Sequence, residues 1–196
     1  PIKPLKIKIN FSPRVSYNDG TLFINGIENS SKRLTASGDF SIDNRDQDVV
    51  EIKLGVDYSY NRTVYSESRT MNQQFVTGNY YTDMAVNFAK HFRISTSFDY
   101  TLYQGEAFGD DESTALWKAE FSAIFLKKKR GKLAITAHDI LDKNKGVNRT
   151  STSNYIESQT TNTIGRYFMA TFSYKLQGFG GDSKGFGHWF GGGRRK

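Results

Sequence analysis

Three histidines, no cysteine and a scatter of carboxylates are the raw material for chemistry in this chain. Their spacing does not assemble a reactive centre. His91 lies in a short link, His138 near the end of an alternating run and His188 in a glycine-rich tail, so no metal-ligand spacing forms. The run HDILD, His138 to Asp142, sets an imidazole beside carboxylates, but a His-Asp pair at the mouth of a loop reads as a hydrogen-bonded strand end. DKNKG, Asp142 to Gly146, opens like a calcium loop, yet no bidentate Glu follows at the required distance. Asn and Gly there predict a turn instead. GDDE, Gly109 to Glu112, reads as the solvated tip of a loop. The chain is therefore expected to be no enzyme and to carry no cofactor or metal.

Basic charge is the other candidate chemistry, since 27 Lys and Arg against 20 Asp and Glu leave a net charge of +7. Exposed aromatics on a basic sheet could stack bases. The distribution argues against nucleic acid: KKKR, Lys127 to Arg130, fills one short link, GRRK ends the tail, and the strand rows mix Lys53 with Glu51 and Asp57. In such a link the KKKR run would meet lipid headgroups, which are often anionic.

The elements that would carry these residues are strands. Fifteen Phe, eleven Tyr and eighteen Gly against three Pro favour sheet and turns, and no window holds the roughly 18 apolar residues of a membrane-spanning helix. A period-2 alternation recurs about eight times: Leu5–Tyr17, Leu34–Ile42, Val50–Tyr60, Tyr80–Phe88, Phe92–Leu102, Ala115–Phe125, a weaker Leu133–Ala137, and Arg166–Leu176. Each run presents one apolar and one polar face.

The connections alternate in length. Tyr17 to Lys32, Asn61 to Gln74, Tyr103 to Thr114 and Asp142 to Asn162 read as long polar loops, whereas Asn44 to Asp48, Ala89 to His91 and Lys127 to Gly131 are short links. Long loops at one end and short turns at the other, with runs reaching the 9 to 11 residues a tilted membrane strand needs, predict antiparallel, up-and-down transmembrane β-barrel strands. Aromatics should then gather at two lipid–water interfaces. Tyr17, Tyr58, Tyr60, Tyr80, Tyr100, Tyr103, Trp117 and Tyr167 fall near the long-loop end, and Phe88, Phe92, Phe125 and Tyr174 near the other. Phe11, Phe40, Phe98 and Phe121 fall at mid-strand. Two other architectures share the pattern: a complete small eight-stranded membrane barrel with a structural or adhesive role, and a soluble lipocalin-type binder with its apolar face inward.

The last third of the chain resembles a known family. DILDKNKG after the penultimate run, N-R-T and Y-I-E in the last long loop, and G-R-Y-F-M followed by F-S-Y-K-L are similar to the closing strands of Bacteroidota outer-membrane β-barrel proteins that resemble TonB-dependent receptors. The rest of the chain shares strand rhythm rather than motif. The resemblance implies a barrel of about 22 strands around an N-terminal plug, of which these residues are the C-terminal part, and uptake of a nutrient ligand across the outer membrane. It implies outer-membrane lipid, the barrel assembly machinery, a TonB-type energy transducer and a surface lipoprotein as partners. It also implies extracellular long loops and a periplasmic C-terminus. Thr163, Gly165 and Phe168 partly match the polar-x-Gly-x-x-aromatic assembly signal, with Ala170 where an aromatic is preferred. The chain divides at about residue 177: residues 1–177 hold the strands, and residues 178–196, GFGGDSKGFGHWFGGGRRK, read as a flexible basic periplasmic tail. The opening PIKPLKIKINF alternates like a strand and has no signal-peptide pattern, so either a signal was removed or the chain is part of something longer.

Overall fold

The computed structural model describes residues 7–24, 26–44, 49–67, 72–105, 111–126, 129–151 and 156–176. Alternation of aromatic and β-branched residues with small polar ones gives ten strands: β1 Lys8–Ile24, β2 Ile27–Asp43, β3 Val50–Tyr65, β4 Gln73–Phe88, β5 Phe92–Gln104, β6 Glu112–Phe125, β7 Gly131–His138, β8 Val147–Ser151, β9 Ile156–Thr160 and β10 Tyr167–Tyr174. Eight of them form one antiparallel sheet in the order β1-β2-β3-β4-β5-β6-β7-β10, and β8 pairs with β9 apart from it. Each strand of the sheet lies beside its sequence neighbour, which makes an up-and-down meander. Among the described residues the sheet is open: β1 and β10 have no partner on their outer edges. Pro13 stands within β1 opposite Gly38.

All eight alternating runs became strands of this sheet, and two of the expected long loops contain paired strands as well. Tyr17 to Lys32 is a paired ribbon, in register from Tyr17↔Leu34 to Ile24↔Ile27. Its closure falls within INGI, Ile24 to Ile27, an Asn-Gly sequence of the kind that favours a two-residue hairpin turn, and Gly26 has the left-handed φ of +80°. Polar composition hid a ribbon that rises past the sheet, since β3 pairs with β2 only as far as Ser31↔Tyr65. Asp142 to Asn162 contains the β8–β9 hairpin. The loops expected at Asn61–Gln74 and Tyr103–Thr114 shrink as β3 to β6 extend into them.

The ribbon is tied to the next connection at its base. Ser30 N–H and Ser66 N–H each donate across the gap, to Ser66 Oγ (3.0 Å) and Ser30 O (2.9 Å). Asn29, almost wholly buried, accepts from Ser66 Oγ and Glu67 N at 3.2 Å. The short links at the opposite end are tight. Ala89 and Lys90 both adopt φ near +50 to +60°, at 48° and 58°, a conformation that costs a non-glycine residue about 1 kcal/mol.

The faces are inverted relative to a water-soluble sheet. Phe11 is 69% exposed and Phe168 74%, and Leu54, Met84, Ile94, Phe121 and Ile135 are exposed as well. Arg93, by contrast, is 6% exposed and Ser122 1%. Apolar residues normally occupy the sheltered side; here polar ones share it with Tyr65, Phe75, Tyr103 and Ile124, while most large apolar side chains are exposed. A lipocalin-type binder, whose apolar face would point inward, is therefore excluded. Among the described residues no helix is long and apolar enough to cross a membrane. The proposed tail, residues 178–196, lies outside the described residues, as do Gly109 and Asp110 of GDDE and Lys127 and Lys128 of KKKR.

Candidate functional site

The apolar row runs unbroken across the sheet. Phe11 faces Phe40, Phe40 faces Val56, Val56 faces Tyr80, and Tyr80 faces Tyr100. Tyr17, Tyr58, Tyr60, Tyr80, Tyr100 and Trp117 all stand on this face, and the Tyr80 and Tyr100 rings lie 6.3 Å apart. At the short-link end Phe88, Phe92, Phe125 and Tyr174 share it too. Phe88 stacks on Phe92 at 5.6 Å, and Phe92 on Phe121 at 5.9 Å. Phe125 lies 6.1 Å from Phe172. Phe121 thus joins the Phe cluster at this end through a diagonal contact that strand position alone does not reveal. Tyr167 differs from the others: it opposes His138 on the polar face and stacks on it at 4.5 Å and 9°. Tyr103 is also on the polar face and buried. Counting the parity of these two residues from Phe168 and Leu102 would have separated them.

The sheltered face is built from charges that answer one another. Arg93 donates to both oxygens of Glu51, at 2.7 and 2.8 Å, and to Asn87 Oδ1 at 3.0 Å. This bidentate fork joins β3, β4 and β5 on one wall. Lys132 and Thr136 of β7 donate to the two oxygens of Glu120 on β6, at 3.1 and 3.4 Å. Thr35 donates to Asn61 at 2.9 Å, and Thr101 to Asn79 at 3.1 Å. Small hydroxyl and amide partners keep this wall hydrophilic.

Tyr81 lies across the wall. It lies opposite Gly55, donates from its hydroxyl to Asp39 Oδ2 at 3.3 Å, and carries Lys53 Nζ 4.6 Å above its ring centre. A Cβ on Gly55 would collide with that ring; the glycine exists to let the ring lie across it. Gly55→Val is expected to displace Tyr81 and to cost about 1–3 kcal/mol of folding stability, as overpacking does. Urea titration in lipid should show the loss, and Gly55→Val combined with Tyr81→Ser should recover part of it.

The DKNKG stretch is a turn, held by the carboxylate before it. Asp139, buried and at φ 48°, accepts from Lys143 N and Asn144 N at 3.1 Å each. Asn144 Oδ1 accepts from Gly146 N at 3.2 Å. Asp142 reaches forward to the chain entering β10, accepting from Arg166 N at 3.0 Å. Thr163 donates to Asn144 O at 2.7 Å, and Gly165 lies against Asp142, where a Cβ would stand 2.7 Å from Oδ1. Of the residues read as an assembly signal, Thr163 and Gly165 therefore precede β10 and fasten the loop, while Phe168 is on the apolar face opposite Ala137. Among the described residues no group of three metal-binding side chains occurs. Asp139→Ala would leave two backbone N–H groups unpaired, and a loss of about 1–3 kcal/mol is expected. The measurable result is faster proteolysis within residues 139–166 while the eight-stranded sheet stays intact.

A continuous lipid-compatible face, a polar sheltered wall and strands of 13 to 17 residues in β1 to β6 together describe a membrane barrel wall. The sequence profile described as the outer membrane protein beta-barrel family matches residues 6–174. The chain belongs to that family. Comparison with curated proteins and with solved structures gives no match. As an outer-membrane barrel protein, it directs the exposed row from Phe11 to Phe172 at lipid and the Arg93 and Glu120 networks at the barrel interior. The family assignment and the inversion of faces agree, since a sheltered Arg93 and an exposed Phe168 fit a wall whose outer solvent is hydrocarbon.

Proposed function

We propose that this outer-membrane barrel chain is part of the wall of a larger, TonB-dependent receptor-like transporter of a Bacteroidota envelope, which takes up a nutrient ligand. The observation that carries the reading is that, among the described residues, β1 and β10 each keep one unpaired edge. Hydrocarbon tolerates no open edge, so further strands are needed, and a barrel of about 22 strands around a plug supplies them. Eight strands closing on themselves as a structural or adhesive barrel has less support: the seventeen-residue β1 would have to pair with the eight-residue β10. In this reading the longer connections and the β1–β2 ribbon stand outside the cell and capture ligand, and the short links face the periplasm. Tyr80, Tyr100 and Trp117 form one interface belt, and Phe88, Phe92 and Phe125 the other. Thr163, Gly165 and Phe168 contribute to recognition by the barrel assembly machinery. A plug elsewhere in the protein, moved by a TonB-type transducer, admits the ligand, with a surface lipoprotein as a capture partner. The chain itself catalyses no reaction and works without a cofactor. Intact mass of the native polypeptide after detergent extraction tests the reading. A mass several times 22.2 kDa is expected, and a mass near that value would overturn the larger barrel.

A further inference from the structure

The rim at the short-link end carries a charge pattern that the transport reading does not use. Two backbone bonds set its turns side by side. Ile124 N donates to His91 O at 2.7 Å, and Lys175 N donates to Arg130 O at 2.9 Å. The link after β4, the link after β6 and the end of β10 therefore form one continuous edge. Along it the described residues Lys90, Lys129, Arg130 and Lys175 follow one another, and the intervening Lys127 and Lys128 extend the run in sequence. The links 89–91 and 126–131 and residue 175 contain no Asp or Glu. At the opposite end the charges are mixed: the connection 105–111 holds Glu106, Asp110 and Asp111, while Lys143 and Lys145 stand beside Asp139 and Asp142.

Directly beneath this cationic edge, on the lipid-facing side, lie the stacked rings of Phe88, Phe92 and Phe121 and the Phe125–Phe172 pair. Leu126, in the link itself, and Leu176, just past β10, are exposed at 53% and 84%. Apolar rings directly below cations reproduce the profile of a phospholipid, acyl chain below and phosphate above. Aqueous loops would not need Leu126 and Leu176 in contact with solvent beside Lys129 and Lys175. The positive φ of Ala89, Lys90, Leu126 and Lys129, from 48° to 69°, keeps these links short, so their charges stay near the ends of the strands.

We propose that the rim formed by Lys90, Lys129, Arg130 and Lys175 binds the phosphodiester of an anionic phospholipid whose acyl chains lie on the phenylalanine cluster. The lipid is a structural ligand of this edge and gives the barrel a preference for an anionic leaflet. Each basic residue near such a surface contributes a few-fold to association, and the four together select anionic over zwitterionic headgroups.

The test uses the native outer-membrane protein reconstituted in mixed bilayers, with spin-labelled phosphatidylglycerol or phosphatidylcholine as the probe. Association of phosphatidylglycerol relative to phosphatidylcholine should exceed unity. It should fall roughly fivefold for each cation removed in Lys129→Gln/Arg130→Gln, and stay unchanged in Lys143→Gln/Lys145→Gln at the other end. Raising salt should weaken the preference of the unaltered protein, a reading that needs no variant to fold. Equal association of the two lipids, a preference indifferent to salt, or a preference surviving in the Lys129/Arg130 variant would each overturn the proposal.

Discussion

Met84→Arg is expected to destabilise the folded barrel in lipid by about 2–4 kcal/mol, the cost of an arginine at the bilayer midplane. Met84 lies on the exposed face, four residues from Tyr80 and four from Phe88. Eight residues at about 3.3 Å each span roughly 26 Å along β4. With a tilt of 35–45° that is roughly 20 Å of height, close to the apolar band of a membrane barrel. Met84 is the centre of this band, too far from either interface for an arginine to reach water easily. Ser97→Arg, one row away on the sheltered face of β5, is expected to cost far less, since that face is polar. Urea midpoints in lipid vesicles compare the two. Similar losses for both variants would contradict the assignment of faces.

Arg93→Met is expected to cost about 3 kcal/mol, the loss on breaking a buried ion pair from one side. The side chains of Arg93 and Glu51 are 8% and 21% exposed, so Glu51 would remain sheltered without its partner. Asn87 Oδ1 would lose a donor as well. Arg93→Met/Glu51→Met should recover most of the loss, because removing both charges also removes the unanswered carboxylate. Arg93→Lys should fall between them, since one ammonium cannot reproduce the two-pronged contact with Glu51. The same urea titration distinguishes these outcomes. If Arg93→Met and the double variant are equally unstable, the pair does not hold the wall together.

The architecture was legible because a barrel strand writes its two solvents into alternate positions. Runs such as Val50–Tyr60 and Ala115–Phe125 needed no partner to be recognised as strands. What stayed hidden depended on local turn chemistry or on side chains meeting across the sheet. The Asn-Gly of INGI carried the ribbon turn, but the polar residues around it resembled loop. Tyr167 lay at the right height for an interface residue, and only its pairing with His138 revealed the other face. The Arg93–Glu51 fork joins residues 42 apart in sequence, a distance over which single-residue patterns are silent. Asp139 belonged to a motif whose turn was readable, while its grip on Lys143 and Asn144 needed the backbone geometry.

This chain holds no cysteine, so a thiol introduced into one of its strands, with any thiol elsewhere in the native protein replaced by serine, reports the orientation of the sheet. Single cysteines placed at Ile94, Ser95, Thr96 and Ser97 of β5 in the native protein, reconstituted in lipid, would be exposed to a membrane-impermeant maleimide. Cysteines at Ser95 and Ser97 are expected to react and those at Ile94 and Thr96 to stay protected, reporting an apolar environment when labelled with a polarity-sensitive dye. The opposite alternation, or four equal rates, would contradict a wall whose exposed apolar face meets lipid.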